Sequence, residues 1–188
     1  MARPAQAQRG FSLLELLVAL FVVVLITSMV TLTVNSGGQD IRLESMVRDV
    51  AEVASFAVDE AQIQGWDYGL KLQENLSGPQ PYFTYSWRQR YLDGWGEPPK
   101  DQEVFEGGEF PPGIELELEL EDSPFTELTI EGEDEALEQP QVVFYSSGET
   151  TVGAINVRRK SDGTLLWRIE WDLLGRFDVM LRGEAQDL

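Results

Sequence analysis

The sequence predicts an α+β protein: a long N-terminal helix, transmembrane in its first half, packed against a mostly antiparallel β-sheet domain. Three observations carry that reading. From Phe11 to Val34 the chain holds 24 residues with a single charge, Glu15. From there to about Gln64, apolar residues return at helical spacing. Beyond Trp66 the period shortens toward two, and clusters of Gly, Pro, Ser and Asp punctuate short apolar runs.

Each element follows in order. Residues 1–10, MARPAQAQRG, form a short polar leader whose only charges are Arg3 and Arg9. Residues 11–34 are apolar for long enough to span roughly 30 Å of hydrocarbon as a helix. Basic residues before this run and a strongly acidic chain after it place the N-terminus in the cytoplasm. An ordinary secretory signal has an apolar core of only about 7–15 residues and then a cleavage site. Here the apolar run continues past Ala19-Leu20. Residues 35–64 continue the helix in amphipathic form, with Met46, Val50, Val53, Ala57 and Ala61 on one stripe and Asp49, Glu52, Asp59 and Glu60 mostly off it. Gly65 is placed to end it. Unbroken, the helix would measure on the order of 80 Å; Gly37-Gly38 offers the alternative of two helices joined by a hinge.

Residues 65–188 read as a β-rich domain. Strand patterns fall at 66–72, 82–87, 114–121, 128–130, 141–145, 154–159, 165–171 and 177–181, with turns at Ser77 to Pro81, Ser147-Gly148-Glu149 and Ser161-Asp162-Gly163. The clearest strand alternates perfectly: Ile114, Leu116, Leu118 and Leu120 on one face, Glu115, Glu117, Glu119 and Glu121 on a solvated acidic face. Such a domain is expected to cover the apolar stripe of the helix with one sheet face.

Composition narrows the function. The 188 residues include 33 acidic and 14 basic side chains, a formal charge of −19, with neither histidine nor cysteine. Histidine- and cysteine-dependent nucleophilic sites, the usual zinc sites and disulfides are thereby excluded. So negative a chain repels phosphate backbones, which argues against nucleic acid as a partner. Acids alone can do acid–base work, but no carboxylate pair stands out, and an enzyme is not expected. A carboxylate near the start of a membrane segment costs on the order of 2–3 kcal/mol unless compensated. The segment around Glu15 contains no cation; a partner from another chain could supply one.

Arg9-Gly10-Phe11-Ser12-Leu13-Leu14-Glu15 resembles the prepilin signal of type IV pilins and type II secretion pseudopilins. The resemblance implies that a prepilin peptidase cleaves after Gly10 and N-methylates Phe11. It also implies that Glu15 sets register by pairing with the N-terminal amine of a neighbouring subunit. Loss of the leader leaves 12 basic and 33 acidic side chains, a charge of −21. Further along, Val142 to Thr151 and Asp172-Leu173-Leu174-Gly175-Arg176 resemble the strand–turn signature and closing turn of the H-type minor pseudopilins. That subclass often continues Thr-Pro-Phe after the glutamate; this chain has Thr151-Val152-Gly153 instead.

The expected function is accordingly that of a minor pseudopilin: a structural subunit of the periplasmic pseudopilus that helps export folded proteins across the outer membrane. The alternative is a minor pilin of a type IV pilus, serving assembly, adhesion or DNA uptake. Either is anchored once in the inner membrane with its C-terminal domain in the periplasm. Expected partners are other major and minor pseudopilins, the prepilin peptidase, the inner membrane, and secreted substrates or the secretion channel. No cofactor and no metal are expected. Two charged features need separate readings. Between Asp93 and Glu138 there are 17 acids and one base, Lys100. Asp101, Glu103, Glu106 and Glu109 are candidates for calcium, against the simpler reading of a solvated loop or a docking surface for a basic partner. Arg158-Arg159-Lys160, Arg176 and Arg182 are candidates for a basic patch, with salt bridges within a filament as their expected use.

Overall fold

The computed structural model describes residues 13–77, 80–121, 123–126, 128–130 and 139–185; the side chains of 26–39, 123–126, 129–130 and 185 are not described. The chain divides into two compact units, 1–41 and 42–188. The first helix, α1, is assigned as one element of 52 residues, Leu13–Gln64, with helical backbone through Gly37-Gly38. It ends where expected. Gly65 takes φ +70° and its N–H donates to Ala61 O at 2.9 Å, the left-handed cap that glycine makes without a Cβ clash.

In the second unit, α1 buries Leu43, Val47, Val50, Ala51, Ala54, Ala57, Val58 and Ala61. The stripe is broader than the sequence predicts, and its centre has moved: Met46 and Val53 are only partly buried at its margins. Two sheets, rather than one, supply the reason. The alanines present little bulk, so strands can approach from more than one side.

One sheet contains β1 (Tyr68–Asn75), β2 (Tyr82–Tyr91), β3 (Gly94–Gly96), β4 (Gly108–Glu109), β7 (Thr129–Ile130) and β8 (Val142–Phe144). Strand β1 is its centre, antiparallel to β2 on one side and to β8 on the other, and parallel to β7. The other sheet runs β12 (Glu184–Ala185), β11 (Phe177–Leu181), β10 (Leu165–Trp171), β9 (Gly153–Arg159), β5 (Ile114–Leu120), β6 (Ser123–Thr126). All eight strand patterns read from the sequence are present. The pieces the sequence did not show are short: β3, β4, β6 and β12, and the 3-10 turn Glu103–Phe105.

Both sheets and the helix share one core. Tyr68, Leu70, Leu72, Phe83, Trp87 and Phe144 come from the first sheet; Leu116, Leu118, Ile155, Val157, Ile169 and Trp171 come from the second. Phe105 plugs the assembly from its 3-10 turn, its ring stacked 4.9 Å from Tyr68 and 5.8 Å from both Phe56 and Trp87. Each such large apolar side chain contributes about 1.5–3 kcal/mol by leaving water.

The two C-terminal motifs, distant in sequence, meet where the chain passes from one sheet to the other. Thr151 N–H donates to Val143 O at 3.0 Å, and Val143 N–H donates to Thr151 Oγ1 at 3.1 Å. Thr150 donates from its N–H to Leu173 O at 2.9 Å and from Oγ1 to Asp172 O at 2.7 Å. The Trp171 indole N–H reaches Thr151 O. Asp172 organises the closing turn: Oδ1 accepts from Leu174 N–H at 3.0 Å and Arg176 N–H at 3.1 Å, and Oδ2 accepts from Arg176 Nε at 2.6 Å. Gly175 then lies against α1. It has φ +69°, and a Cβ there would stand 2.6 Å from Val58 Cγ2.

Two outcomes are expected. Gly175→Ala combines left-handed backbone with overpacking and should cost about 2–4 kcal/mol. Gly163→Ala, also left-handed (φ +68°) but facing open space, should cost only about 1–2 kcal/mol. Urea unfolding of both variants checks this; equal losses contradict the close approach to α1. The second concerns acid. Hydrogen bonds from the Arg176 side chain and backbone, then from Leu174, hold the Asp172 carboxyl below the usual carboxylate range. Its folded-state contribution is therefore complete above the ordinary pKa of about 4 and lost as pH falls through the folded-state value. Asp172→Asn keeps the turn but not the charge. Wild type should be the more stable at neutral pH, with the gap closing in acid; a gap unchanged across that range contradicts the pairing.

Candidate assembly surface

The first unit presents the surface that the sequence singles out. Glu15 lies in the first turn of α1. Around it Leu13, Leu14, Leu16, Leu17, Leu20 and Phe21 are all exposed, from 84% at Leu13 to 60% at Phe21. The apolar side chains continue on every side of the helix through Leu25, which is also exposed. A helix that is apolar all round is at home in lipid or among other helices, not in water. No cation among the described residues pairs with Glu15. Gly10 and Phe11, with the leader 1–10, lie outside the described residues. Among the described residues no helix is long and apolar enough to cross a membrane; the described side chains of the apolar run stop at Leu25, and 26–39 fall outside them.

The second unit resolves several charged features. The glutamates of β5 are not a uniformly solvated face, as the alternation suggested. Glu115 is exposed, but Glu117 and Glu119 are half-buried and engaged across the sheet. Glu117 Oε2 accepts from Arg158 Nε at 3.0 Å, and Glu119 Oε2 accepts from Arg168 Nη1 at 3.0 Å. Between them sits Asn156, 1% exposed. Its Nδ2 donates to Glu119 Oε1 at 2.7 Å, while its Oδ1 accepts from Arg168 Nη1 at 2.7 Å. Arg168 also donates from Nε to Glu170 at 2.9 Å. Partial burial opposes the Arg168 charge, but its bonds to Glu170 and Glu119 prevail and raise its pKa. A buried amide whose donor and acceptor are both used specifies strand register as well as stability. Sequence reasoning missed Asn156 and Arg168. Their one signal was a polar residue interrupting Ala154-Ile155-Asn156-Val157.

Three of the basic candidates are engaged within the chain. Arg158 pairs with Glu117, Arg159 with Asp162 at 3.2 Å, and Arg176 with Asp172. Salt bridges inside the subunit replace the expected filament bridges at these three positions. The acidic candidates do not gather either. Asp101, Glu103, Glu106 and Glu109 are all exposed. Among the described residues no group of three or more carboxylates is placed to hold a metal ion. Asp122, Glu127 and the acids of 131–138 lie outside the described residues.

Against this geometry the likenesses to known proteins are consistent with one another. Residues 6–31 match the prokaryotic N-terminal methylation motif, which spans Gly10, Phe11 and Glu15. The chain is 25% identical over 178 residues to the type II secretion system protein H of Pseudomonas aeruginosa, covering 88% of this chain and 97% of that protein. In structure it is similar to the minor pseudopilin EpsH from the type 2 secretion system of Vibrio cholerae. The TM-score is 0.58 at 20% identity, covering 77% of this chain and 99% of that one. The solution structure of Escherichia coli GspH aligns with TM-score 0.54 at 14% identity, covering 79% and 94%. The last two likenesses show the shared fold; the first two carry the relationship in sequence. The chain bears the N-terminal methylation motif and is homologous to the minor pseudopilin H of type II secretion.

Proposed function

We propose that this chain is a minor pseudopilin of a type II secretion system, a structural subunit of the periplasmic pseudopilus that helps move folded proteins across the outer membrane. The observation that carries the proposal is the alignment with protein H over 97% of that protein's length, from the methylation motif into the β domain. The relatives are structural pseudopilins, and this chain is read as structural rather than catalytic. Its partners are other pseudopilins of the same filament.

Each part of the chain then has a physical task. A prepilin peptidase removes residues 1–10 after Gly10 and methylates Phe11. Residues 11–34 hold the subunit in the inner membrane, N-terminus cytoplasmic, with 65–188 in the periplasm and 35–64 joining them. When the subunit enters the filament, its apolar side chains pass from lipid to neighbouring helices. Little apolar surface meets water in that exchange, so its cost is small. Glu15 is the exception. Unpaired at the centre of an apolar layer, a carboxylate costs about 2.5–3.5 kcal/mol, and the amine at Phe11 of a neighbouring subunit is the cation that offsets this. The pairing also fixes the axial register of one subunit on the next, because only one offset brings the two charges together.

Glu15→Ala separates anchoring from assembly. Removing a charge does not weaken insertion, so the variant should fractionate with the inner membrane as wild type does. Its recovery in sheared or overexpressed pseudopili should fall about tenfold or more, in line with the loss of a buried charge pair. Normal incorporation would contradict the register role of Glu15.

A further inference from the structure

Five apolar side chains of the globular unit follow one another at the C-terminal end of α1. Phe56 and Ile63 lie seven residues apart, on one side of the helix away from its buried stripe, and both are exposed, Ile63 to 77%. Trp66 stands just beyond the Gly65 cap, exposed as well, its ring centre 6.3 Å from that of Tyr91 at the end of β2. The next residue, Leu92, sits in the turn between β2 and β3 and is 100% exposed. Turns of this kind favour small polar residues, and a leucine there gains nothing from the core. Single exposed apolar residues are ordinary, but a contiguous set marks a contact surface. Tryptophan and tyrosine are also the residues that most often carry binding energy.

The charges along this surface have one sign. Glu52, Asp59 and Glu60 flank Phe56 and Ile63 on α1, and Asp93 follows Leu92. Arg90 is drawn to the other side of β2, its guanidinium 5.7 Å from the centre of the Trp95 ring. Glu60 accepts from the neutral Gln64 side chain at 3.0 Å. Among the described residues, none of these four acids is in a salt bridge. The helix end sharpens the imbalance. A helix C-terminus is the negative end of the dipole and is ordinarily complemented by lysine or arginine. Here α1 has no base from Asp49 to Gln64. A local rule broken with nothing inside the chain to offset it points to function. A second copy of this chain, or an anionic lipid surface, brings more negative charge and is repelled. A protein contact that is apolar at its centre and rimmed by lysine or arginine is complementary in both respects.

We propose that this end of the globular unit docks a different pseudopilin of the same filament, through an apolar contact on that subunit rimmed by basic side chains. Leu92 and Ile63 are the anchors, Trp66 and Tyr91 the platform between them. Asp59, Glu60 and the open carbonyls at the end of α1 receive the partner's cations. The proposal rests on the reading of the chain as a pseudopilin, which supplies the class of partner; the surface itself selects a subunit of another kind over a second copy.

The test places the photo-crosslinking residue p-benzoylphenylalanine at position 92, 63 or 76 of the full chain, in cells that lack the chromosomal copy and make the other subunits of the system. Leu76 is the control, also apolar and exposed but at the far end of β1. Mass spectrometry identifies the adducts. Positions 92 and 63 should capture the same other pseudopilin, about tenfold or more above position 76. Leu92→Asp and, separately, Asp59→Lys should each lower the yield at 63 about tenfold; both sites are on the surface, so the fold is spared. Salt at about 1 M, applied to isolated envelopes, should lower it too. No adduct at 92 and 63, an equal yield at 76, capture of a second copy or of lipid, or a yield indifferent to both substitutions would overturn the proposal. Hydrolase export by the same cells without the plasmid separates the two readings. Blocked export with no adduct overturns the docking surface alone, whereas unaltered export overturns the pseudopilin reading and the docking surface with it.

Discussion

The apolar face of α1 from Leu43 to Ala61 is the surface on which the rest of the globular unit is built. Two sheets and the Phe105 turn all bury their apolar sides into the same cluster as that face. Its small side chains set the distance: alanine at 51, 54, 57 and 61 lets strands and turns come close, as Gly175 does at Val58. Larger residues on this stripe would push both sheets outward at once. The helix is thus the core of the domain, and the sheets are its cover.

With the core fixed in this way, polar groups finish the structure at its seams. The transfer of the chain from one sheet to the other is made by Thr150 and Thr151, each using backbone and hydroxyl, and is closed by the Asp172 turn. The outer face of the second sheet is held in register by Asn156 between two glutamates and an arginine. These polar contacts engage Arg158, Arg168 and Arg176. What remains outward is an excess of carboxylate.

Much of this was legible in the sequence, for identifiable reasons. The helix end at Gly65, the alternation from Ile114 to Leu120 and the turns at Gly148 and Gly163 each rest on local chemistry, and each is where it was expected. The prepilin motif was legible because its chemistry is local too, a glycine, an aromatic and a glutamate at fixed offsets. Long-range arrangements were not. Periodicity shows that residues share a face but not how many sheets meet it, so Val50, Ala57 and Ala61 were placed rightly, while Leu43, Val47, Ala51, Ala54 and Val58 were left off the stripe and a second sheet was missed. The partners of Glu117, Glu119 and Arg158 lie about forty positions away, and no local signal marks them. The acidic stretch looked like a possible ion site because composition gives proximity along the chain only; in space its described members diverge.

The central claim is that this subunit serves secretion. The most direct measurement is a clean deletion of the gene, complemented from a plasmid, with exported hydrolases assayed in the medium beside twitching motility and DNA uptake. The account predicts that the hydrolases remain trapped in the periplasm while twitching and uptake persist, and that the plasmid restores export. Unaltered secretion together with loss of twitching or uptake would contradict it and identify the chain as a minor pilin of a type IV pilus.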